Sequence, residues 1–494
     1  MGRTGSGKSA LLIKFKEQIG ERVIEVKPEE LALEHISNSD ILRFVEEIGV
    51  TLDPFFKLLW RHVFVVELLK TRFRLRSEDD KKSVMEKIRG WWKGDTEQEK
   101  RRKRALDYLE RHGPSFWIET ELRTREVTQK LEQSLESEVK AANILDIGVR
   151  GASKLSEDAR AEVVHRVQHV VNAVQIRELS EVLDLIDGLL DDPQKPYYII
   201  IDRLDEKWVE DRVRYRLIRA LIEVVRDFFK IRNAKLIVAL RRDLIDRVFR
   251  VTRDPGFQEE KYRSSFIKVS WTKDQLAQVL DARIGALVRR RYTKSAVTHR
   301  DVLPQTVEGA AALDYIVKRS LMRPRDVIEF FNACINKSID QPRVSTERLK
   351  EAEGEYSRDR LRSLADEWSG DYPNLAFFVA GLMKKRPRKF RVGSFTDEEC
   401  LAFCDQAGRQ TLREDDLQRA VWNMAESGGW EPFRREVMYV FYLVGIVGLK
   451  VESYEATSWA VDGRAVSRPE IDDRTKVEVH PCFWRALGIR KEAQ

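Results

Sequence analysis

The sequence is short of several things, and each shortage excludes a class of protein. Only four cysteines occur in 494 residues, namely Cys334, Cys400, Cys404 and Cys482. A disulfide scaffold is thereby excluded, and a reduced, cytoplasmic protein is expected. Cys400 and Cys404 have no second Cys or His pair at zinc-site spacing. His165, His169 and His480 form no metal-like pattern and read as ordinary histidines. Long apolar runs are missing too. The longest, VMYVFYLVGIVGL at 437–449, is too short to span a bilayer and holds two glycines, so no membrane partner is expected. No signal peptide is read at the start, and no internal repeat of about 20–50 residues is visible. Neither sign of charge dominates, since 89 Lys+Arg against 82 Asp+Glu leaves a net +7. That excess permits nucleic acid without requiring it.

What is present begins at once. Gly2 to Ser9, GRTGSGKS, spells G-x-x-x-x-G-K-S. In such a loop the glycines let successive N–H groups turn inward, and the following helix adds its positive N-terminal end. Gly2, Gly5, Ser6, Gly7, Lys8, Ser9 and Ala10 are the candidate nucleotide-binding residues. Lys8 is expected to reach the β- and γ-phosphates and Ser9 to ligate Mg²⁺. SALLIKFKEQI then reads as the amphipathic helix that the loop requires.

An acidic partner is expected at the end of a buried parallel strand. KPYYIIIDRLDEKW (195–208) supplies it, with an apolar run to Ile201 and then Asp202. Asp202 is the candidate Mg²⁺ carboxylate. Asp205 or Glu206 is the candidate for orienting an attacking water. NAKLIVALRRD (233–243) reads as a further strand ending in a γ-phosphate sensor, placed at Arg241 by position. Arg242 reads equally well as the start of a solvated helix. In RSLMRPRDVIEFFNACI (319–335), Pro324 marks a helix start with Arg323 and Arg325 at it; in a lid such an arginine could reach the nucleotide, and a pair of surface arginines is the equal alternative. No N-K-x-D guanine motif occurs.

In this order, GRTGSGKS, YYIIIDRLDEKW, LIVALRRD and RPRD resemble the STAND/AAA+ side of the P-loop ATPases. They resemble in particular a bacterial family with hhhhD-D-L-D-x-x-W, L-R-x-D and R-P-R-D motifs. The resemblance covers roughly residues 2–360. It implies phosphate and Mg²⁺ roles for Lys8, Ser9 and Asp202, a second acid at Asp205, a sensor at Arg241 and a lid arginine at Arg325. A homo-oligomer and a partner or effector protein are implied as common in that class. Arg203 stands where the family often has a second acid, which implies slow hydrolysis unless Glu206 substitutes.

Three parts are expected: a P-loop core over 1–273 with a helical insertion over about 40–190, a helical lid and linker over 274–370, and a winged-helix-like domain over 371–494. The fold class is thus α/β with largely helical additions. Within the insertion, LWRHVFVVELLK (59–70) is apolar on most faces and should be buried. FIKVSW (266–271) is expected as the last core strand. FRREVMYVFYLVGIVGLK should be a buried helix ending at Gly445 or Gly448, followed by strands in YEATSWAV and TKVEVHPCF. Only Met1 precedes the loop, so the strand that should support it is expected to be missing. Gly2 should then lack an anchor, with the natural start upstream or the site completed by another chain.

Three readings follow. The first is a slowly hydrolysing, ATP-dependent molecular switch in defence or signalling. The second is a DNA-associated loader or initiator, using the basic residues at 100–104 and 384–391. The third is an inactive nucleotide-binding scaffold.

Overall fold

The computed structural model describes residues 1–30, 52–75, 96–112, 183, 186, 188–190, 194–252, 260–289, 295–427, 429–460 and 466–490. Much of the helical insertion expected over about 40–190, including 113–182, lies outside the described residues. Two compact units divide the chain, Met1–Val269 and Ser270–Gln494.

The first unit is built on three parallel strands, β1 (Val23–Val26), β2 (Tyr197–Ile201) and β3 (Ala234–Val238), in that spatial order. Ile199 and Ile201 of β2 are 0 % exposed, as suits a central strand covered on both faces. Helix α1 (Lys8–Ile19) follows the phosphate loop, and Leu12 is its buried residue. From the insertion come α2 (Asp53–Phe73) and α3 (Glu97–His112). Helix α2 is buried over most of its length because aromatic and aliphatic residues occupy nearly every face. Its main partner is α4 (Asp211–Asp227), where the Trp60 indole donates to the Leu217 carbonyl at 2.8 Å. Helix α5 (Arg242–Val251) starts shortly after β3.

Two expectations about the sheet are corrected. The segment 266–271 is not a strand. Instead, the Met1 ammonium donates to the Ile267 carbonyl at 2.6 Å and the Val269 amide donates to the Met1 carbonyl at 2.8 Å. A ladder one residue long is too short to form a strand. Gly2 is also anchored, donating to the Leu240 carbonyl at 3.1 Å and bridging Arg241 in parallel. Met1 and Gly2 therefore lie between the end of β3 and residues 267–269. Beside them an apolar cavity of about 220 Å³ is bounded by Leu236, Val238, Phe266 and Val269.

In the second unit, α6 (Lys273–Arg289), α7 (Ala312–Lys318), α8 (Pro324–Asn336) and α9 (Thr346–Trp368) come first. They are followed by α10 (Leu375–Leu382), β4 (Lys389–Arg391), α11 (Asp397–Gly408), α12 (Asp416–Ser427) and α13 (Glu431–Val444). Then come β5 (Val447–Lys450) and β6 (Lys476–Val479), and a short helix at Trp484–Leu487 follows. One cluster of buried side chains runs from Leu276 to Leu487, so the core crosses residue 370 without a break. The strands form an antiparallel sheet in the order β4-β6-β5.

Helix α13 ends at Gly445, one of the two expected stops, whose φ of +89° favours glycine; the chain then turns straight into β5, a strand the sequence reading did not expect. Among the described residues of YEATSWAV, 454–460, the expected strand is not formed; only Ser458 bridges Leu449. Gly448 has a definite use, because a Cβ there would lie 2.6 Å from Thr457 and 2.8 Å from the Trp459 ring.

Candidate functional site

The phosphate loop takes its shape from two glycines with positive φ, Gly5 at +75° and Gly7 at +89°. Gly7 caps α1, and no acid lies in that helix's first turn. The positive end of α1 is therefore free of an internal counter-charge. Gly2 is needed for close approach, since a Cβ there would sit 2.5 Å from the Ser6 hydroxyl. Ser6 is buried, whereas Ser9 and Ala10 are exposed on the first turn of α1. The Lys8 ammonium donates to the carbonyls of Gly2 and Arg3 at 3.2 and 3.1 Å, folding back across the loop.

Opposite stands the acidic loop that follows β2. The Asp202 carboxylate accepts from the Arg203 amide at 2.9 Å. Arg203 itself is held at φ +61°, the left-handed region that a residue with Cβ rarely enters. Asp205 accepts from Arg241 at 3.4 Å, and Arg241 is fixed by Asp243 at 2.6 Å. Glu206 is exposed and 3.8 Å from Arg203. Desolvation pushes the Lys8 pKa down and Arg241 adds to this, against the pull of Asp205, Asp202 and Asp243. Burial opposes the Arg241 charge, but Asp243 and Asp205 outweigh it and hold its pKa above the ordinary value.

Asp205, Arg241, Asp202 and Asp243 thus all lie within electrostatic reach of Lys8. Arg325 is in the second unit, exposed on the first turn of α8. Its neighbour Arg323 is 2 % exposed and grips Asp326 through two bonds of 2.8 and 3.0 Å.

Two supports were not read from the sequence. Arg214 of α4 donates to the Glu206 carbonyl at 2.8 Å and to that of Asp205 at 3.4 Å, tying down the acidic loop. It is one arginine in a helix rich in them, so nothing local marks it. Trp208 donates to the Leu204 carbonyl at 3.3 Å and meets Trp60 edge-on, with centroids 6.5 Å apart. The final W of the acidic motif carried the signal for Trp208, but its partner lies 148 residues earlier, from position 208 back to 60.

A glycine-shaped loop capping a helix, a lysine across it and acids at the end of the adjacent parallel strand define a P-loop NTPase domain. The particular family follows from comparison. Residues 2–271, more than half of the chain, match the KAP family P-loop domain, so the chain belongs to the KAP family of P-loop NTPases. Residues 274–365 match the FunZ-associated C-terminal helical domain, which corresponds to α6 through most of α9. The chain is also similar to a protein of Escherichia coli (strain K12) named "Putative transposon gamma-delta 80.3 kDa protein", with 22 % identity over 326 residues. That alignment covers 64 % of this chain and 43 % of the relative, so the chain spans less than half of that protein's length. No solved structure matches the chain.

A P-loop NTPase domain implies a nucleotide and, as a rule, Mg²⁺. The donors here fit such an ion: the Ser9 hydroxyl and the Asp202 carboxylate are hard oxygens beside the phosphate loop. No described helix is long and apolar enough to cross a membrane.

Proposed function

We propose that the chain is an ATP-binding, slowly hydrolysing NTPase that works as a nucleotide-dependent switch. The observation that carries the reading is the gathering of Lys8, Asp202, Asp205 and Arg241 around one phosphate loop. Loop amides and Lys8 hold the β- and γ-phosphates, and the amine leaves its carbonyl partners to do so. Ser9 and Asp202 would hold Mg²⁺, which supplies charge neutralisation on the phosphates. Asp205 or Glu206 orients the attacking water and takes its proton. Arg241 reads the γ-phosphate, and Arg325 is the lid arginine.

Slow turnover is supported by Arg203. A cation stands beside the water-orienting acids, and Glu206 faces it at 3.8 Å. The STAND/AAA+ likeness supports a switch rather than a motor, and defence or signalling as the setting. In the second unit, helices α11–α13 followed by β5 and β6 support a winged-helix-like reading of the C-terminal part.

The test is nucleotide binding by calorimetry and phosphate release, with wild type, Lys8→Ala and Asp202→Asn. Tight ATP binding lost in Lys8→Ala, with Mg²⁺-dependent turnover lost in Asp202→Asn, is expected. Equal ATP binding by wild type and Lys8→Ala would sink the reading.

A further inference from the structure

The sheet of the second unit carries an unusual row. Its register sets Arg391 of β4 opposite Lys476 of β6, and Lys476 opposite Lys450 of β5. Residues directly opposed in an antiparallel ladder point to the same face, and like charges there repel. The next row, Phe390, Val477 and Leu449, faces the core, with Val477 1 % and Leu449 0 % exposed. The cationic row therefore faces outward, and Arg391 and Lys476 are exposed.

Elsewhere on this sheet charge is compensated. Lys389 lies 3.8 Å from Glu478, and Glu478 accepts from the Thr457 hydroxyl at 3.1 Å. Across the row itself no carboxylate stands within ion-pair distance of Arg391, Lys450 or Lys476 among the described residues. Arg474, two residues before Lys476, is also exposed and adds to the same positive field.

We infer that this row is a contact surface for the phosphate backbone of nucleic acid. Strands lie about 4.8 Å apart, so three of them set three cations over roughly 10 Å. Successive phosphates of one strand of a duplex advance about 3.4 Å along its axis, so the row faces about three of them. A repeating line of anions relieves the repulsion of all three cations together. The expected docking is sequence-independent, because side chains facing phosphates carry no base readout. Helix α13 supports the same view, since its Arg434 is tied to Asp473 at 2.8 Å and to Asp397 at 2.9 Å instead of standing free to read a base.

The test uses the full chain and fluorescence anisotropy with a short labelled duplex of random sequence over a salt series. The triple variant Arg391→Gln, Lys450→Gln, Lys476→Gln is compared with wild type and with a control neutralised at Arg102, Lys103 and Arg104 of α3. The triple variant is expected to bind roughly tenfold more weakly or worse, with a salt slope shallower by about 2 to 3. The control should bind as wild type does. Removing like charges from a ladder should leave the melting temperature of the triple variant equal or raised, which separates lost contact from lost folding. The inference is overturned if the triple variant binds the duplex as wild type does. It is equally overturned if anionic vesicles, and not the duplex, respond to the substitutions.

Discussion

The two units place the same pair of residue types at a helix start and use them differently. In the first unit Arg241 and Asp243 open α5, and both side chains are 17 % exposed. In the second, Arg323 and Asp326 open α8 at 3 % and 0 % exposure. The first pair is open to the phosphate loop, and Arg241 also reaches Asp205. The second is closed upon itself: Arg360 approaches Asp326 at 3.7 Å and Glu367 at 2.8 Å, and the Leu321 amide donates to Asp326 at 3.1 Å. Burial, rather than residue identity, separates the two pairs: the proposed sensor Arg241 is left partly open, and Arg323 is sealed in. The deep pair cannot release its charges without a large desolvation cost, whereas the shallow pair can exchange a partner.

The sharpest way to break this comparison is Asp326→Asn. It leaves Arg323 and Arg360 buried without their shared anion, so a loss of about 3–5 kcal/mol is expected in denaturant unfolding. Burial alone would raise the Asp326 pKa, but Arg323, Arg360 and the Leu321 amide hold it below the ordinary carboxylate range. Its contribution is thus complete above that range and is lost as pH falls through the lowered folded value. The gap between wild type and variant should be full at neutral pH and should narrow in acid. A pH-independent gap would count against the ion-pair account.

On the shallow side, Lys8→Ala should cost about 1.5–3 kcal/mol of ATP binding, about 10–150-fold in affinity, with unfolding unchanged. Equal losses of stability and affinity would make Lys8 structural and erase the contrast. Trp60→Phe tests how far the acidic loop depends on the insertion. Losing the bond to Leu217 and the edge contact with Trp208 should cost about 1–2 kcal/mol, with weaker nucleotide binding as the diagnostic readout. The smallest effect is expected from Arg203→Asn. Asparagine tolerates the left-handed region better, so stability should stay level or rise by at most about 1 kcal/mol. Faster phosphate release in that variant would support Arg203 as a brake.

The phosphate loop and the strands around it were legible because each part is a local requirement. Gly5 and Gly7 answer to backbone torsion, and the apolar run into Asp202 to burial on both faces of the sheet. The charge cluster was legible residue by residue, but its bonding was not. That Arg241 is held by Asp243, or that Arg214 ties the loop backbone, depends on side chains brought together by packing. Gly2 was misread for the same reason, since its anchor at Leu240 is distant in sequence. The strand at 447–450 was hidden because its residues continue the apolar run of α13, and only the torsion at Gly445 separates the two. Arg323 and Arg325 look alike in the sequence; the i,i+3 spacing to Asp326 puts one inside and leaves the other out.

The edge contact between Trp60 and Trp208 has an optical consequence. Trp208 follows Asp202 by six positions on the acidic loop, and Trp60 belongs to a long buried helix. One indole therefore travels with the loop while the other stays with the scaffold. Any displacement of the loop on nucleotide arrival changes the surroundings of an intrinsic fluorophore. The difference in emission between wild type and Trp208→Phe would then report occupancy of the site without an added label.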